Sequence, residues 1–318
     1  MKETTARTGP ELSIVVSAYN EENNIAALVA ALTDTLETVG VPYEVILVDD
    51  GSTDRTWEAI QSACRNDPRI RSIRLSRNFG QQNAMFAGLH YVRGRAVITM
   101  DSDLQHPPAT IPQLYSAWLE GYQIVETVRS ESEDVTWFKR TTSRWFYKVF
   151  SALSGIPMSS GTSDFRLMDA RVVEVVREMK DADLFLRGIA HWVGFRRKAV
   201  PFQAINRQAG ESKYNLARMI KFAVSSLISF STIPLRLGIW IGLATSLLAF
   251  LELIYILIVY IRGNVVPGWA STLALVSFLF GILFLLVGII GAYLASIFET
   301  LKNRPRFLVS DTEGFSDE

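Results

Sequence analysis

A stretch of 62 residues, Leu237 to Phe298, carries only two formal charges, Glu252 and Arg262. It contains two apolar runs, Leu237–Ile261 and Trp269–Phe298, which are joined by a short polar turn. A hydrocarbon core about 30 Å thick is crossed by about 20 helical residues, so each run can span a membrane. Two helices buried in a soluble core are the alternative, but such helices seldom exceed about 20 residues without a polar face. The sequence therefore predicts a transmembrane hairpin.

Flanking cations predict how this hairpin is oriented. They are Arg207, Lys213, Arg218, Lys221 and Arg236 before the first run, and Lys302, Arg304 and Arg306 after the second. The loop between the runs holds Arg262 alone, so the positive-inside rule places both termini in the cytoplasm. The polar start of the chain indicates no signal segment, and the single cysteine, Cys64, suits a reducing compartment. We expect an integral protein of the cell (inner) membrane.

The hairpin sets the expected boundaries of the other segments. They are a polar N-terminal tail at 1–11, a cytoplasmic domain at 12–213, an interfacial amphipathic helix at 214–233, the hairpin at 234–300 and a cytoplasmic tail at 301–318. The chain has 32 basic and 32 acidic residues, a balance that excludes binding to nucleic acid through net charge.

The first hundred residues alternate short β-branched runs with helical patterns. The predicted strands are Leu12–Val16, Tyr43–Val48, Ile70–Leu75 and Ala96–Met100. Between the first two, Ile25, Leu28, Val29, Leu32 and Leu36 recur at helical spacing, and Asn20 or Asn23 could cap this helix. The alternation is typical of a doubly wound, mostly parallel α/β sheet, in which ligands bind beyond the carboxyl ends of the strands.

Acidic residues gather where two of these strands end. One cluster runs from Asp49 to Asp54, and the other runs from Asp101 to Gln105. A spacing of two places Asp101 and Asp103 on one side of an extended segment, where both can address one divalent ion. Oxygen ligands favour Mg²⁺ or Mn²⁺ over zinc, although such acids also serve as turn and capping residues. His106, beside the second cluster, is either a site residue or a turn residue.

Five motifs in order resemble those of the polyprenyl-phosphate glycosyltransferases of glycosyltransferase family 2. They are Ser17-Ala18-Tyr19-Asn20-Glu21-Glu22, Val48 to Asp54, Asp101 to Pro108, Gly161 to Arg166, and Gly210-Glu211-Ser212-Lys213-Tyr214. The family is similar to dolichyl-phosphate mannose synthase, and the two C-terminal apolar runs look like those of the bacterial undecaprenyl-phosphate glucosyltransferase subgroup. The chain lacks phosphate-loop and dinucleotide-binding glycine motifs.

The resemblance implies a nucleotide-sugar site in a glycosyltransferase A-type domain. The implied donor-binding residues are Ala18, Tyr19, Glu21 and Asp49 for the base and ribose, and Asp101 and Ser102 for the sugar and diphosphate. Asp103 and Gln105 are the implied metal ligands, for Mg²⁺ or Mn²⁺. Asp101 and Asp164 are the implied catalytic residues, and Asp164 acts either as a base near the sugar C1 or as a group that orients Arg166 or a sugar hydroxyl.

Basic residues offer a site for the acceptor phosphate. A phosphate with a second pKa of about 6 is ionised at cytoplasmic pH, so it requires positioning more than a strong base. The planar fork of arginine suits that task. Candidates are Arg129, Arg140, Ser143, Arg144, Arg207 and Lys213. Family spacing favours the first three, with Arg144 as an alternative, and each cation could instead be a solvated residue on a helix face.

The expected activity is inverting transfer of a hexose to a polyprenyl phosphate at the cytoplasmic membrane face, with a β-linked product. The subgroup resemblance favours glucose from UDP-glucose and leaves mannose, N-acetylglucosamine and aminoarabinose open. One alternative is a processive polysaccharide synthase, whose Gln-x-x-Arg-Trp motif is incomplete at Arg144-Trp145. The other is a membrane scaffold that only binds nucleotide. Small residues in the second run, including Gly288 and Gly291, predict a homo-oligomer.

Overall fold

The structure is a computed structural model that describes residues 9–129, 162–179, 188–189, 192–203, 232–262 and 268–315. Its strands are β1 (Leu12–Ala18), β2 (Tyr43–Asp49), β3 (Ile70–Leu75), β4 (Ala96–Asp101), β5 (Ile124–Arg129), β6 (Thr162–Asp169), β7 (Arg197–Phe202) and β8 (Val309–Glu313). Its helices are α1 (Ile25–Val39), α2 (Thr56–Asn66), α3 (Gln81–Tyr91), α4 (Ile111–Leu119), α5 (Ala170–Glu178), α6 (Ile233–Ile261) and α7 (Trp269–Leu301).

The eight strands form one sheet in the order β7-β5-β6-β4-β1-β2-β3-β8. Strand β1 pairs in parallel with β2 and β4, β2 pairs in parallel with β3, and β5 pairs in parallel with β7. Strands β6 and β8 run antiparallel to their neighbours. The predicted mostly parallel α/β sheet is confirmed. The ends of the four predicted strands differ from the observed ends by two residues at most.

Helices cover both faces of the sheet, so β1 and β2 are buried along their whole length. On one face α1 buries Ile25, Leu28, Leu32 and Leu36, as the helical spacing predicts. The cap residue is Asn24, rather than Asn20 or Asn23. Asn20 instead adopts a left-handed backbone (φ 55°), and its side-chain oxygen accepts a hydrogen bond from the Thr53 N–H at 2.9 Å.

On the other face α3 packs directly against the sheet. A Cβ atom added to Gly88 would lie only 2.4 Å from Val15 Cγ1, so this position requires glycine. The close contact fixes the distance between α3 and the central strands.

Helices α6 and α7 are long enough and apolar enough to cross a membrane. Their most apolar segments, Ile233–Val259 and Leu275–Leu301, have mean hydropathies of 2.2 and 2.7, and none of either hydropathy window is buried. This exposure contradicts the alternative of two helices in a soluble core. The helices approach each other near Gly238, where an added Cβ would lie 3.2 Å from Leu286 Cδ2.

The chain returns to the sheet after α7, where the sequence predicts only a tail at 301–318. Strand β8 pairs antiparallel with the edge of β3, from Ser72 opposite Glu313 to Leu75 opposite Val309. The Val-Ser-Asp-Thr-Glu segment is short and polar, so it has no apolar alternation to mark it as a strand. It becomes one because β3 would otherwise present an unpaired edge on that side.

Candidate active site

Parallel pairing brings the predicted site together at one edge of the sheet. The register places Ala18 opposite Asp49 and Ser17 opposite Asp101, so the carboxyl ends of β1, β2 and β4 coincide. The first motif and both acidic clusters therefore meet at this edge.

Side chains tie the loops after β1 and β2 to each other. Ser52 Oγ accepts from the Asn20 N–H at 3.0 Å, and Thr56 Oγ1 accepts from the Glu21 N–H at 2.8 Å. Tyr19, which precedes Asn20, keeps 44% of its surface exposed. The two loops thus form a fixed wall that presents an aromatic ring to solvent.

Asp49 lies at the base of this wall and is fully buried. Its Oδ1 accepts from the Ser52 N–H at 3.0 Å, and its Oδ2 lies 3.2 Å from Arg74 Nε. The Arg74 guanidinium also lies over the Trp57 ring, at 5.6 Å from its centroid. Asp49 is thereby held as an ion-paired carboxylate at the end of β2.

Asp50, the next acid, has a structural role that its sequence neighbourhood does not reveal. Its carboxylate accepts from the Phe79 and Gly80 N–H groups at 2.7 and 3.0 Å, which anchors the loop that leads into α3. Burial raises its pKa, and these two hydrogen bonds oppose the shift. Gly51 follows at φ +67°, and a Cβ added to it would lie only 2.4 Å from the Arg77 carbonyl carbon, which is too close.

Asp101 ends β4 and contacts two other elements. Its Oδ1 accepts from Gln81 Nε2 in the first turn of α3. Its backbone N–H donates to His106 Nδ1 at 3.2 Å, and His106 Nε2 lies 2.6 Å from Ser163 Oγ on β6. Because Nδ1 accepts, the ring proton sits on Nε2 and points to Ser163.

His106 is buried, and its ring stacks on Phe165 with the centroids 5.3 Å apart. It joins the turn after β4 to β6, and so it fixes these two elements relative to each other. Of the two roles that the sequence leaves open, the structure supports that of a site residue that positions its neighbours.

Asp103 and Gln105 face each other across a strained turn. Asp103 Oδ1 accepts from the Gln105 N–H at 3.1 Å, and Oδ2 accepts from Gln105 Nε2 at 2.8 Å. Leu104 between them has φ 58°, which is rare for a branched side chain and is the kind of strain found at functional sites. Its side chain packs against the core, which stabilises the turn.

The pair offers hard oxygen donors for a divalent ion. In the part of the chain that the structure describes, no three His, Cys, Asp or Glu side chains converge as a metal cluster. An ion held here would take its other ligands from substrate oxygens and water. That arrangement is typical of Mg²⁺ bound beside a diphosphate.

Asp164 lies on β6, next to β4, with only 5% of its surface exposed. Its Oδ2 accepts from Gln82 Nε2 at 3.1 Å, and its Oδ1 accepts from the buried Arg166 NH2 at 3.3 Å. The structure thus places Arg166 in contact with Asp164, and the choice between a base and an orienting group stays a prediction. Gln81 and Gln82 are consecutive, so the first turn of α3 bridges Asp101 and Asp164.

The sequence motifs do not include Gln81 and Gln82. The available signal is a group of three consecutive amides, Gln81, Gln82 and Asn83, between the end of β3 and an apolar helix. A run of amides at the carboxyl edge of a sheet is a candidate for contact with site carboxylates, but nothing local shows which carboxylates lie opposite.

Of the six candidates for binding the acceptor phosphate, Arg129 lies within the residues that the structure describes. It is exposed at the end of β5, whose register places it opposite Phe202, and the Phe202 ring packs 5.9 Å from His106. Arg129 therefore lies at the same edge as the acids. Five further candidates, together with most of the predicted interfacial helix, lie outside the described residues; they are Arg140, Ser143, Arg144, Arg207 and Lys213.

Comparison with known proteins identifies the family. Residues 13–177 match the family described as Glycosyl transferase family 2. The chain belongs to this family. An uncharacterised glycosyltransferase of Synechocystis sp. is 39% identical to it over 305 residues, 96% of both chains. A prophage-derived bactoprenol glucosyl transferase of Shigella flexneri is 35% identical over 300 residues, 94% of this chain and 97% of the relative.

Both relatives of this family 2 glycosyltransferase extend beyond the α/β domain into the C-terminal region. A crystal structure of a mycobacterial protein covers 70% of this chain and 76% of its own, with 18% identity and a TM-score of 0.51, and supports the fold. The resemblance drawn from the five motifs is confirmed at the level of the family.

Proposed function

We propose that this glycosyltransferase moves glucose from UDP-glucose to a polyprenyl phosphate at the cytoplasmic face of the membrane. One combination of features carries the proposal. A single chain joins an acid-lined edge of an α/β sheet to two exposed apolar helices. The Shigella relative, named as a bactoprenol glucosyl transferase, supports the choice of lipid and sugar.

The donor binds along the wall formed by the first two loops. We assign the base and ribose to Ala18, Tyr19, Glu21 and Asp49, because the exposed Tyr19 ring offers a stacking surface beside a buried, ion-paired carboxylate. Asp101 and Ser102, at the end of β4, face the sugar and the diphosphate in this assignment.

Asp103 and Gln105 would hold the divalent ion, Mg²⁺ or Mn²⁺. When bound, such an ion neutralises negative charge on the departing diphosphate. The protein contributes the oxygen atoms of Asp103 and Gln105 on a turn that Leu104 anchors to the core, and the ion would replace the hydrogen bond from Gln105 Nε2 to Asp103 Oδ2.

The acceptor phosphate is the nucleophile. One of its oxygens bonds to the sugar C1 as the bond from C1 to the diphosphate oxygen breaks, and attack from the opposite face gives the β-linked product. An ionised phosphate carries no proton that must be removed, so the protein needs to position it and offset its charge. Arg129 supports this role from the end of β5, and Asp164 fits the role of orienting Arg166 or a sugar hydroxyl.

The membrane arrangement agrees with this chemistry. The α/β domain precedes α6 in the chain. Strand β8 follows α7 and belongs to the sheet of that domain, so both ends of the hairpin connect to one domain. This supports a hairpin that enters and leaves the bilayer on the side of the active site. Gly288 and Gly291 allow close contact between helices, and we infer a homo-oligomer, which chemical crosslinking in membranes would test.

A transfer assay tests the function. The purified full-length protein is incubated with Mg²⁺, undecaprenyl phosphate and each of several labelled nucleotide sugars. We expect label in the lipid fraction from UDP-glucose, one sugar per lipid, and none after chelation of the metal. Longer products would favour a processive synthase, and nucleotide binding with no transfer from any donor would favour the scaffold.

A further inference from the structure

One face of α3 runs from the active site to the segment that follows α7. Gln82, Phe86 and His90 recur every fourth residue and therefore lie along a single stripe of the helix. Gln82, at the start of the stripe, donates to Asp164. The Phe86 and His90 rings contact each other edge to face, with centroids 4.6 Å apart.

The segment that leaves α7 packs on the same stripe. The Phe307 ring lies 6.3 Å from Phe86 and 5.6 Å from His90, measured between centroids. The Arg306 guanidinium lies over the Phe86 ring at 4.8 Å. Desolvation by its neighbours lowers the pKa of His90, and its Nδ1 lies 2.9 Å from the Phe86 carbonyl oxygen.

The same segment is fixed to the sheet directly after Phe307. The Leu308 carbonyl accepts from the Ser76 N–H at 2.8 Å, and β8 then pairs along β3. Further along, the Phe315 ring lies 5.1 Å from Tyr91, at the end of α3. The chain leaving the second apolar helix is thus clamped between the sheet edge and α3.

A packed helix moves as one piece, because its contacts with the sheet leave no space for gradual adjustment. At Gly88 the backbone of α3 already lies against Val15, so a shift of the helix cannot be absorbed there. A change at Phe86 and His90 therefore reaches the first turn, one helical turn before Phe86.

We propose that Phe307 is a positioning residue for the reaction, which acts through α3 to set where Gln82 and Gln81 hold Asp164 and Asp101. The inference deepens the proposed function and rests on it for what the two carboxylates do. It makes the geometry of the active site depend on the segment that emerges from the membrane hairpin.

The test compares Phe307→Ala with Leu308→Ala in the full-length protein. Leu308 is the next residue and has 54% of its surface exposed, so it is a matched control. We expect Phe307→Ala to lower kcat about 10-fold and to leave the donor KM within about 2-fold, because a misplaced catalytic group impairs turnover more than binding. Phe307→Leu, which keeps most of the volume, guards against loss of folding and should lower kcat by about 3-fold.

A double variant tests the route. If Phe307 acts through Gln82, the Gln82→Ala and Phe307→Ala pair loses little more kcat than the more severe single variant. A double-variant loss equal to the product of the two single losses would show independent effects and overturn the proposal, as would equal losses in Leu308→Ala and Phe307→Ala.

Amide hydrogen exchange provides a measurement that does not depend on the activity. Phe307→Ala should speed exchange at residues 79–84 relative to Leu308→Ala, and unchanged exchange there would refute the link. If the native protein transfers no sugar to polyprenyl phosphate, the proposed function fails while the exchange experiment still decides the positional link.

Discussion

Replacement of Asp164 by Asn is the sharpest test of the active site. The carboxylate receives one hydrogen bond from Gln82 and one from the buried Arg166. Asn keeps the shape but has one acceptor oxygen where the carboxylate has two, so one of these donors would face an amide NH2 group that cannot accept, at a cost of about 1–3 kcal/mol. We expect a loss of about 2 kcal/mol, or a melting temperature lower by about 4–8 °C.

Asp169, at the other end of the same strand, offers a matched control. Its carboxylate also pairs with an arginine, accepting from Arg171 Nε at 2.8 Å, but its register partner is Ala96 at the start of β4, away from the site. Asp169→Asn should destabilise the protein by a similar amount and retain turnover. The comparison therefore separates loss of stability from loss of catalysis.

The assay measures kcat and the donor KM for glucose transfer to undecaprenyl phosphate, below the melting temperature of each variant. We expect Asp164→Asn to lower kcat at least about 100-fold, with little change in the donor KM. A kcat within about 3-fold of the native value, or equal losses in the two Asn variants, would remove Asp164 from the mechanism.

Three further predictions concern the metal, the acceptor and the fold. Asp103→Asn should raise the Mn²⁺ concentration for half-maximal activity at least about 10-fold, and an unchanged metal titration would exclude Asp103 as a ligand. Arg129→Ala should raise the KM for polyprenyl phosphate while the donor KM stays constant; a shift in the donor KM alone would contradict it. Gly51→Ala should destabilise the domain by about 3 kcal/mol in thermal unfolding, because its Cβ meets the Arg77 backbone, whereas Gly9→Ala should have little effect.

The return of β8 to the sheet changes how the membrane requirement is tested. Cutting the chain near residue 230 removes the hairpin and also a strand of the α/β sheet. A cleaner variant replaces residues 232–302 with a short flexible linker and keeps β8. It should retain donor binding and lose transfer to long-chain lipid in membranes.

Local pattern was sufficient for much of the fold. Strands β1 to β4 and helix α1 follow from β-branched runs and helical spacing, because strands covered on both faces are apolar throughout and a helix covered on one face is apolar every third or fourth residue. The hairpin follows from length and composition alone, since lipid excludes charge along about 20 residues. Parallel strands place their carboxyl ends at one edge of a sheet, so the sequence was sufficient to predict that the acidic clusters of Asp49 and Asp101 lie close together.

Tertiary structure decided the features that depend on distant partners. Ser310 and Arg74, which hydrogen bond between β8 and β3, are 236 residues apart, and no local pattern links them. The structural role of Asp50 and the contacts of Gln81 and Gln82 likewise depend on which loop lies opposite. Sequence alone thus determined the elements and the chemistry available at the strand ends. Packing determined which side chains hold that chemistry in place, because each such contact joins residues that only the folded sheet brings together.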